Sequence, residues 1–332
     1  MLRFIVKRLL LMIPTVFVIT IITFIVIQLP PGDYLTQVVS QLQEQGETVE
    51  KAELEMLQER YGLGKPLYVQ YFRWIIPIIT RGDFGRSFSW NMPVSDLIWS
   101  RLGLTFLLSF STMLFTWIVA LPIGIYSAIK QYSVGDYLAT FVGFIGLAIP
   151  NFIFALVLMY VAFKYFGQNI GGMFSPSMID APWSFAKLWD LLGHLWIPVV
   201  VLGTSGTASM IRIMRANLLD EKRKTYVLAA RARGIGEGKM IMQYPVRVAL
   251  NPFVSTIGWS LPTLISGSTV TAIVLSLPTT GPLLFNALQS QDMYLAGSFL
   301  LMLSVLTVVG TLLSDILLAL VDPRIRYGGM DG

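Results

Sequence analysis

Residues 226–239 read Tyr-Val-Leu-Ala-Ala-Arg-Ala-Arg-Gly-Ile-Gly-Glu-Gly-Lys, and a second helix-compatible stretch follows to Pro252. The small side chains of Ala229, Ala230 and Ala232 let another surface approach closely. Arg231 and Arg233 can bond acidic groups or exposed carbonyls. Gly234 and Gly236 break the helix that starts near Asn217, and Gly238 keeps the turn flexible; Lys239 to Leu250 can form a second short helix. Together these residues make a helix–Gly–helix recognition surface, whose chemistry is docking rather than bond making. The alternative is a basic loop whose charge only sets topology.

The residues needed for catalysis are missing. No GxxxxGK[ST] phosphate loop, HExxH or GxSxG occurs in the chain. Cysteine is absent, which excludes disulfides and thiolate-ligated metals, and the single histidine, His194, stands beside Trp196 at the edge of an apolar run. A lone histidine there is an interface residue before it is a catalyst. Asp315 is the one acid inside an apolar run, either a functional group or half of a structural ion pair. So few intramembrane charges argue against an ion-coupled secondary transporter, the alternative of another class.

The elements that position the loop are membrane helices. Apolar residues make up 55% of the 332, and only 13% are charged. A soluble domain carries about 25% charged residues, so the shortfall reads as lipid-facing surface. Six apolar runs are long enough, or nearly so, to span a bilayer: Leu9–Leu29, Leu102–Ile129, Tyr137–Phe163, Leu195–Ile211, Pro252–Leu277 and Tyr294–Leu320. The expected fold is therefore an all-α integral membrane protein with six transmembrane helices. The first run exceeds the ~7–15 residues of a signal-peptide core and is read as a retained anchor.

The basic residues set the orientation. With the N-terminus in the cytoplasm, fifteen Lys and Arg fall on cytoplasmic segments and two, Lys164 and Lys187, on short outer ones. The remaining seven lie in 30–101, too long a segment to count. Both termini are expected inside. Segment 30–101 reads as a small extracytoplasmic domain with an acidic amphipathic helix from Thr48. Trp74, Trp90 and Trp99 in its second half suit a membrane interface. It is either a solvated face with an aromatic belt or a docking surface for an extracytoplasmic partner.

Two hydroxyl-rich stretches, 203–209 and 260–271, are too polar to face lipid all round. They serve either helix packing or a nearly uncharged translocation path lined by Ser205, Thr207, Ser260, Thr263, Ser266 and Thr269.

The loop resembles the EAA-type coupling loop of ABC importer permeases, in the variant of the oligopeptide/dipeptide permease family. That variant usually reads like Tyr-Val-x-x-Ala-Arg-Ala-Lys-Gly, and 226–234 here read Tyr-Val-Leu-Ala-Ala-Arg-Ala-Arg-Gly, with Ala-Leu-x-Pro resembled at 249–252. The resemblance covers nearly the whole chain: Leu-Pro-Pro-Gly-Asp at 29–33, Tyr-Gly-Leu-Gly-Lys-Pro from 61, Gly-Asp-Phe-Gly-Arg-Ser at 82–87, Leu-Pro-Ile-Gly at 121–124, Gly-Leu-Ala-Ile-Pro-Asn-Phe at 146–152 and Asp-Pro-Arg-Ile-Arg at 322–326. It departs from the general pattern at Leu228, where that pattern has Glu, and Pro245 and Pro252 flank its closing proline.

The resemblance implies a type I ABC importer permease fold. Its parts are an N-terminal tip and anchor helix at 1–29, the outer domain at 30–101, a permease core at 102–321 with its coupling loop at 212–251, and a cytoplasmic tail at 322–332. It implies ATPase contact through Tyr226, Ala229, Ala230, Arg231, Ala232, Arg233, Gly234, Ile235 and Gly236. No cofactor is expected on this chain; ATP and Mg belong to two partner ATPase subunits. The other implied partners are a second, non-identical permease, an extracytoplasmic substrate-binding protein and the bilayer of the cell inner membrane; nucleic acid is not among them. The implied cargo is a dipeptide or oligopeptide, with oligosaccharides as the alternative for the same machinery.

Overall fold

The computed structural model describes residues 2–28, 65–167, 171–253 and 269–321. Those residues are helical apart from turns and one isolated antiparallel bridge between Arg86 and Pro93. In chain order the helices are α1 (Leu2–Gln28), α2 (Leu67–Arg81), α3 (Val94–Ile129), α4 (Val134–Ala148), α5 (Asn151–Phe166), α6 (Phe185–Lys222), α7 (Thr225–Ala232), α8 (Glu237–Gln243), α9 (Pro245–Ala249), α10 (Thr269–Val274), α11 (Thr280–Gln289) and α12 (Met293–Val321). Four of them, α1, α3, α6 and α12, are long and apolar enough to cross a membrane; pairing α4 with α5 makes a fifth span. The chain is a multi-pass membrane protein of helical class.

One expected span changes. The 137–163 run is not one spanning helix but α4 and α5, bent by 101°. The cause is local: Pro150 cannot donate the next helical hydrogen bond, and its ring forces Ile149 into extended backbone, at φ −85° and ψ 121°. Pro150 then becomes the N-cap of α5, which ends at Gly167 in the left-handed region. The expected 252–277 span falls largely outside the described residues, as do Thr48 and its neighbours and the 322–332 tail.

The chain divides into two compact units. In the first, drawn from the described residues of 105–278 and 310–321, α6 touches α4, α5 and α9. Glycines let these helices close together. A Cβ at Gly203 of α6 would sit 2.5 Å from Phe115 Cδ1 of α3, and one at Gly146 of α4 would sit 2.8 Å from Thr204 Cγ2. At 1.5 Å per residue, α6 is roughly 57 Å long, almost twice the ~30 Å hydrocarbon core, so it must project into water.

The Phe185 end of α6 is tied by a polar knot. Asp190 accepts from the Ser175 backbone N–H at 2.8 Å, and buried Lys187 donates to the carbonyls of Ile179 and Ala181 at 2.9 and 2.6 Å. His194 Nδ1 lies 2.8 Å from the Asp190 carbonyl, which makes it part of this knot.

The second unit is drawn from the described residues of 2–104 and 279–309. There α2 and the turn around the Arg86–Pro93 bridge pack with α1 and the first half of α12. Buried Asp292 caps α12: its carboxylate accepts from the Leu295 N–H at 3.1 Å, from the Ser89 N–H at 3.1 Å and from the Ser87 hydroxyl. Trp74 is not a belt residue; it is 2% exposed, against Phe24 of α1.

Candidate coupling surface

The loop after the central long helix folds into a thin helical layer. Helix α6 runs on past the apolar stretch to Lys222, whose Nζ donates to the Ala128 carbonyl at the end of α3, 3.3 Å away. Arg223 ends α6, and Lys224, extended at φ −71° and ψ 149°, turns the chain into α7. The helix expected from Asn217 to Arg233 is therefore two helices, because the break comes at Lys224 as well as at the glycines.

Gly234 ends α7 as expected, at φ +76°. Its N–H donates to the Arg231 carbonyl at 3.0 Å, and the Ile235 N–H donates to the Ala230 carbonyl at 3.4 Å. This pair of bonds is a Schellman cap, and only glycine adopts its left-handed position without strain. Gly236 then caps α8, and Pro245 separates α8 from α9. The second short helix expected from Lys239 to Leu250 is accordingly two pieces.

The layer has an inside and an outside. Val227, Ala230, Met240, Ile241, Val246, Ala249 and Phe253 are buried in one cluster with Met214 and Leu218 of α6 and Ala128 of α3. Ile235 packs half-buried against the same cluster. Burying this set holds the layer on its long helices. The outward residues include Tyr226, Ala229, Arg231, Ala232, Arg233, Gly234 and Gly236, all exposed. Of the nine residues singled out in sequence, Ala230 alone is fully buried; its methyl anchors the layer.

The outer face is both basic and apolar. Arg223, Lys224, Arg231, Arg233, Lys239 and Arg247 are exposed, as are the large apolar side chains of Leu228, Met242 and Val248. Exposed apolar groups ringed by charge mark a protein contact. Arg231 lies 3.3 Å from Glu237; with both side chains largely in water, that pair is worth at most about 1 kcal/mol. The Tyr226 hydroxyl donates to Glu221 at 2.5 Å. Partial desolvation of the hydroxyl, and then the Glu221 carboxylate, raise that phenol's pKa above its ordinary value, so it stays neutral and keeps donating.

One brace escaped sequence reading. Asp136, buried at the start of α4, accepts from the Tyr132 backbone N–H at 3.0 Å and from Arg215 of α6 at 3.0 Å. It ties the α3–α4 turn to the stretch of α6 from which the layer hangs. The available signal was an acid three residues after a capping Ser133, in a chain with few acids.

The hydroxyl residues are less gathered. Thr207 is buried and donates to the Gly203 carbonyl of its own helix at 2.7 Å. Ser205 is half-buried, its hydroxyl 3.4 Å from the Leu202 carbonyl. Thr269 opens α10, which packs along α5. Ser260, Thr263 and Ser266 lie outside the described residues. The Thr116 hydroxyl of α3 reaches the Gly203 carbonyl at 3.4 Å, a contact between the two helices.

Comparison with known proteins gives this arrangement a setting. Residues 120–327 match the family described as binding-protein-dependent transport system inner membrane component, and residues 1–109 match its N-terminal companion. The chain is 35% identical, over 98% of its length and the whole of the relative, to the oligopeptide transport system permease protein AppB of Bacillus subtilis. It is 32% identical, over 98% of its length and the whole of the relative, to the dipeptide transport system permease protein DppB of Alkalihalophilus pseudofirmus. With DppB of Escherichia coli K12 it shares 31% identity over 98% of its own length and 99% of the relative's. The chain belongs to the family of binding-protein-dependent transport system inner membrane components.

Proposed function

We propose that this chain is one permease subunit of an ATP-driven importer of dipeptides or oligopeptides, and that residues 224–249 are its contact with an ATPase subunit. Family membership makes it a permease, with ATP hydrolysis in separate subunits. The observation that carries the coupling assignment is the two-sided layer: Val227, Ala230 and Met240 fastened inward, Leu228, Ala232, Arg233 and Met242 free outward. A loop that only set topology would not bury one face and leave leucine and methionine on the other. Arg231 and Arg233 then meet acidic side chains or carbonyls of the ATPase.

The remaining partners are a second, non-identical permease and an extracytoplasmic binding protein, which presents the cargo. Peptide cargo follows the names of the relatives. The Lys and Arg distribution puts the layer and both termini in the cytoplasm and 30–101 outside. Ser205 of α6 and Thr269 of α10, both half-buried, are the described residues we assign to the path; Thr207 is buried, its hydroxyl donating within its own helix.

Ala232→Trp tests the coupling. Position 232 faces outward, so the bulk meets the partner and not the layer. Substrate-stimulated ATP hydrolysis in proteoliposomes should be lost while membrane insertion persists; unchanged coupling would sink the assignment. Cargo is read separately, by uptake of labelled dipeptides, tripeptides and oligosaccharides. For orientation, cysteine at exposed Arg223 should resist an impermeant thiol reagent and cysteine at exposed Asp180 should react, in cells opened only at the outer membrane.

A further inference from the structure

Helix α2 has three faces. At ~100° per residue, Gln70, Trp74 and Ile75 fall on one side, and all three are buried. A second arc carries Tyr68, Phe72, Ile76 and Ile79, all exposed, Ile79 by 75%. A third carries Arg73 and Thr80, both exposed; exposed Arg81 is the last residue of the helix, beyond the end of the buried arc. A helix in water needs two faces, one apolar for the core and one polar. A separate, uncovered apolar arc beside an already buried one calls for a second apolar medium.

The inner face fixes the level at which α2 lies. The Tyr71 hydroxyl meets Thr20 of α1 at 2.7 Å, and the Tyr71 and Trp74 rings stand 5.5 and 6.0 Å from Phe24. Gln28, the last residue of α1, donates to Gln70 at 3.0 Å and to Met293, the first residue of α12, at 2.9 Å. All these α1 contacts lie in its final two to three turns, where a spanning helix leaves the hydrocarbon and α12 enters it. Away from them, α1 exposes Phe17, Val18, Ile22 and Ile25, the surface it turns to lipid.

We propose that α2 is an in-plane membrane helix, seated in the interface of the leaflet at the C-terminal end of α1. Tyr68, Phe72, Ile76 and Ile79 lie at the boundary of acyl chains and headgroups, and Arg73 and Arg81 lie among the headgroups. The occupant of the apolar arc is phospholipid, because the arc is level with the end of α1 and adjoins a surface already committed to lipid. An in-plane amphipathic helix of this kind sinks about 5–10 Å into the boundary, with basic residues on its wet side. The inference rests on reading α1 as a span, but not on which terminus faces the cytoplasm. It makes residues 67–81 a membrane-seated platform ahead of α3.

The chain has no cysteine, so single cysteines report cleanly. The complete transporter, reconstituted in phosphatidylcholine/phosphatidylglycerol nanodiscs, carries a bimane label at Phe72→Cys, Ile76→Cys, Ile79→Cys, Thr80→Cys or, on α1, Val18→Cys. Nitroxide lipid labelled near the top of its acyl chain should quench the labels at 72, 76, 79 and 18, and aqueous iodide should leave these untouched. Position 80 should show the reverse. Lipid quenching at 18 with iodide quenching at 72 and 76 overturns the proposal and keeps α1 as a span. Protection of 72 and 76 from both quenchers also overturns it, because a protein partner then covers the arc. Absence of lipid quenching at 18 refutes the span itself, and the proposal with it.

Discussion

Met240 and Met242 are the same residue type, two positions apart on α8, yet one is 1% exposed and the other 57%. They separate the layer's stability from its docking. Met240 sits in the cluster with Val227, Ala230, Met214 and Leu218. Met→Ala at a buried site costs ~2–5 kcal/mol, from lost transfer free energy and the cavity left behind. The layer is one helix deep and can settle partly into the gap, so about 2–3 kcal/mol is expected. That raises the locally open population roughly 30- to 150-fold. Met242→Ala removes no packed contact, and its effect on stability should stay within ~0.5 kcal/mol.

The assay is limited trypsin cleavage after Arg231 and Arg233 in membranes containing the permease pair, with and without the ATPase subunits. Without ATPase, Met240→Ala should be cut far faster than wild type and Met242→Ala at the wild-type rate. With ATPase, wild type should be protected, while Met242→Ala should lose protection through weaker docking. Equal cleavage of the two variants without ATPase would refute the inward–outward division of the layer.

The glycines of α6 give a second ranking. Gly203→Ala puts a Cβ 2.5 Å from the Phe115 ring, an overpacking cost of about 1–3 kcal/mol that outweighs the ~1 kcal/mol gained in helix propensity. Gly206→Ala meets only ordinary contacts near 3.5 Å from Thr116, so it should melt at or above the wild-type temperature, with Gly203→Ala below it, in thermal unfolding of the purified complex. Asp136→Ala leaves the Tyr132 N–H and Arg215 without their acceptor and should cost about 1–3 kcal/mol in the same melt; Asp136→Asn, which keeps an acceptor oxygen, should lose less. His194→Gln should retain uptake across the pH range, because the ring nitrogen contacts Asp190 of its own helix; a lost or pH-shifted uptake would give His194 a role in transport.

Much of this protein is readable from local pattern. Long uncharged runs become α1, α3 and α12 because transfer into hydrocarbon depends on the segment's own side chains, whatever packs beside it. The stop at Gly234 is equally local: a left-handed residue after Ala-rich helix takes glycine for steric reasons. The helical character of 225–232 and its Ala-Arg tip follow from the same short stretch.

Tertiary structure decided the rest. Val227 and Leu228 are adjacent and both apolar, yet one is buried and the other exposed, because Met214 and Leu218 of α6 lie under only one side of α7. No periodicity within eight residues reports where that neighbour lies. Asp136 and Arg215 are 79 positions apart, and Ser87 and Asp292 are 205 apart. Each pair exists only because the fold brings together two polar groups that burial would otherwise leave uncompensated. Trp74 shows the same limit from the other side: its amphipathic ring suits a membrane boundary, but Phe24 and Tyr71 take it into the core, leaving that boundary to Phe72, Ile76 and Ile79. Hydrophobicity is a property of the residue; the medium that satisfies it is chosen by what the folded chain sets beside it.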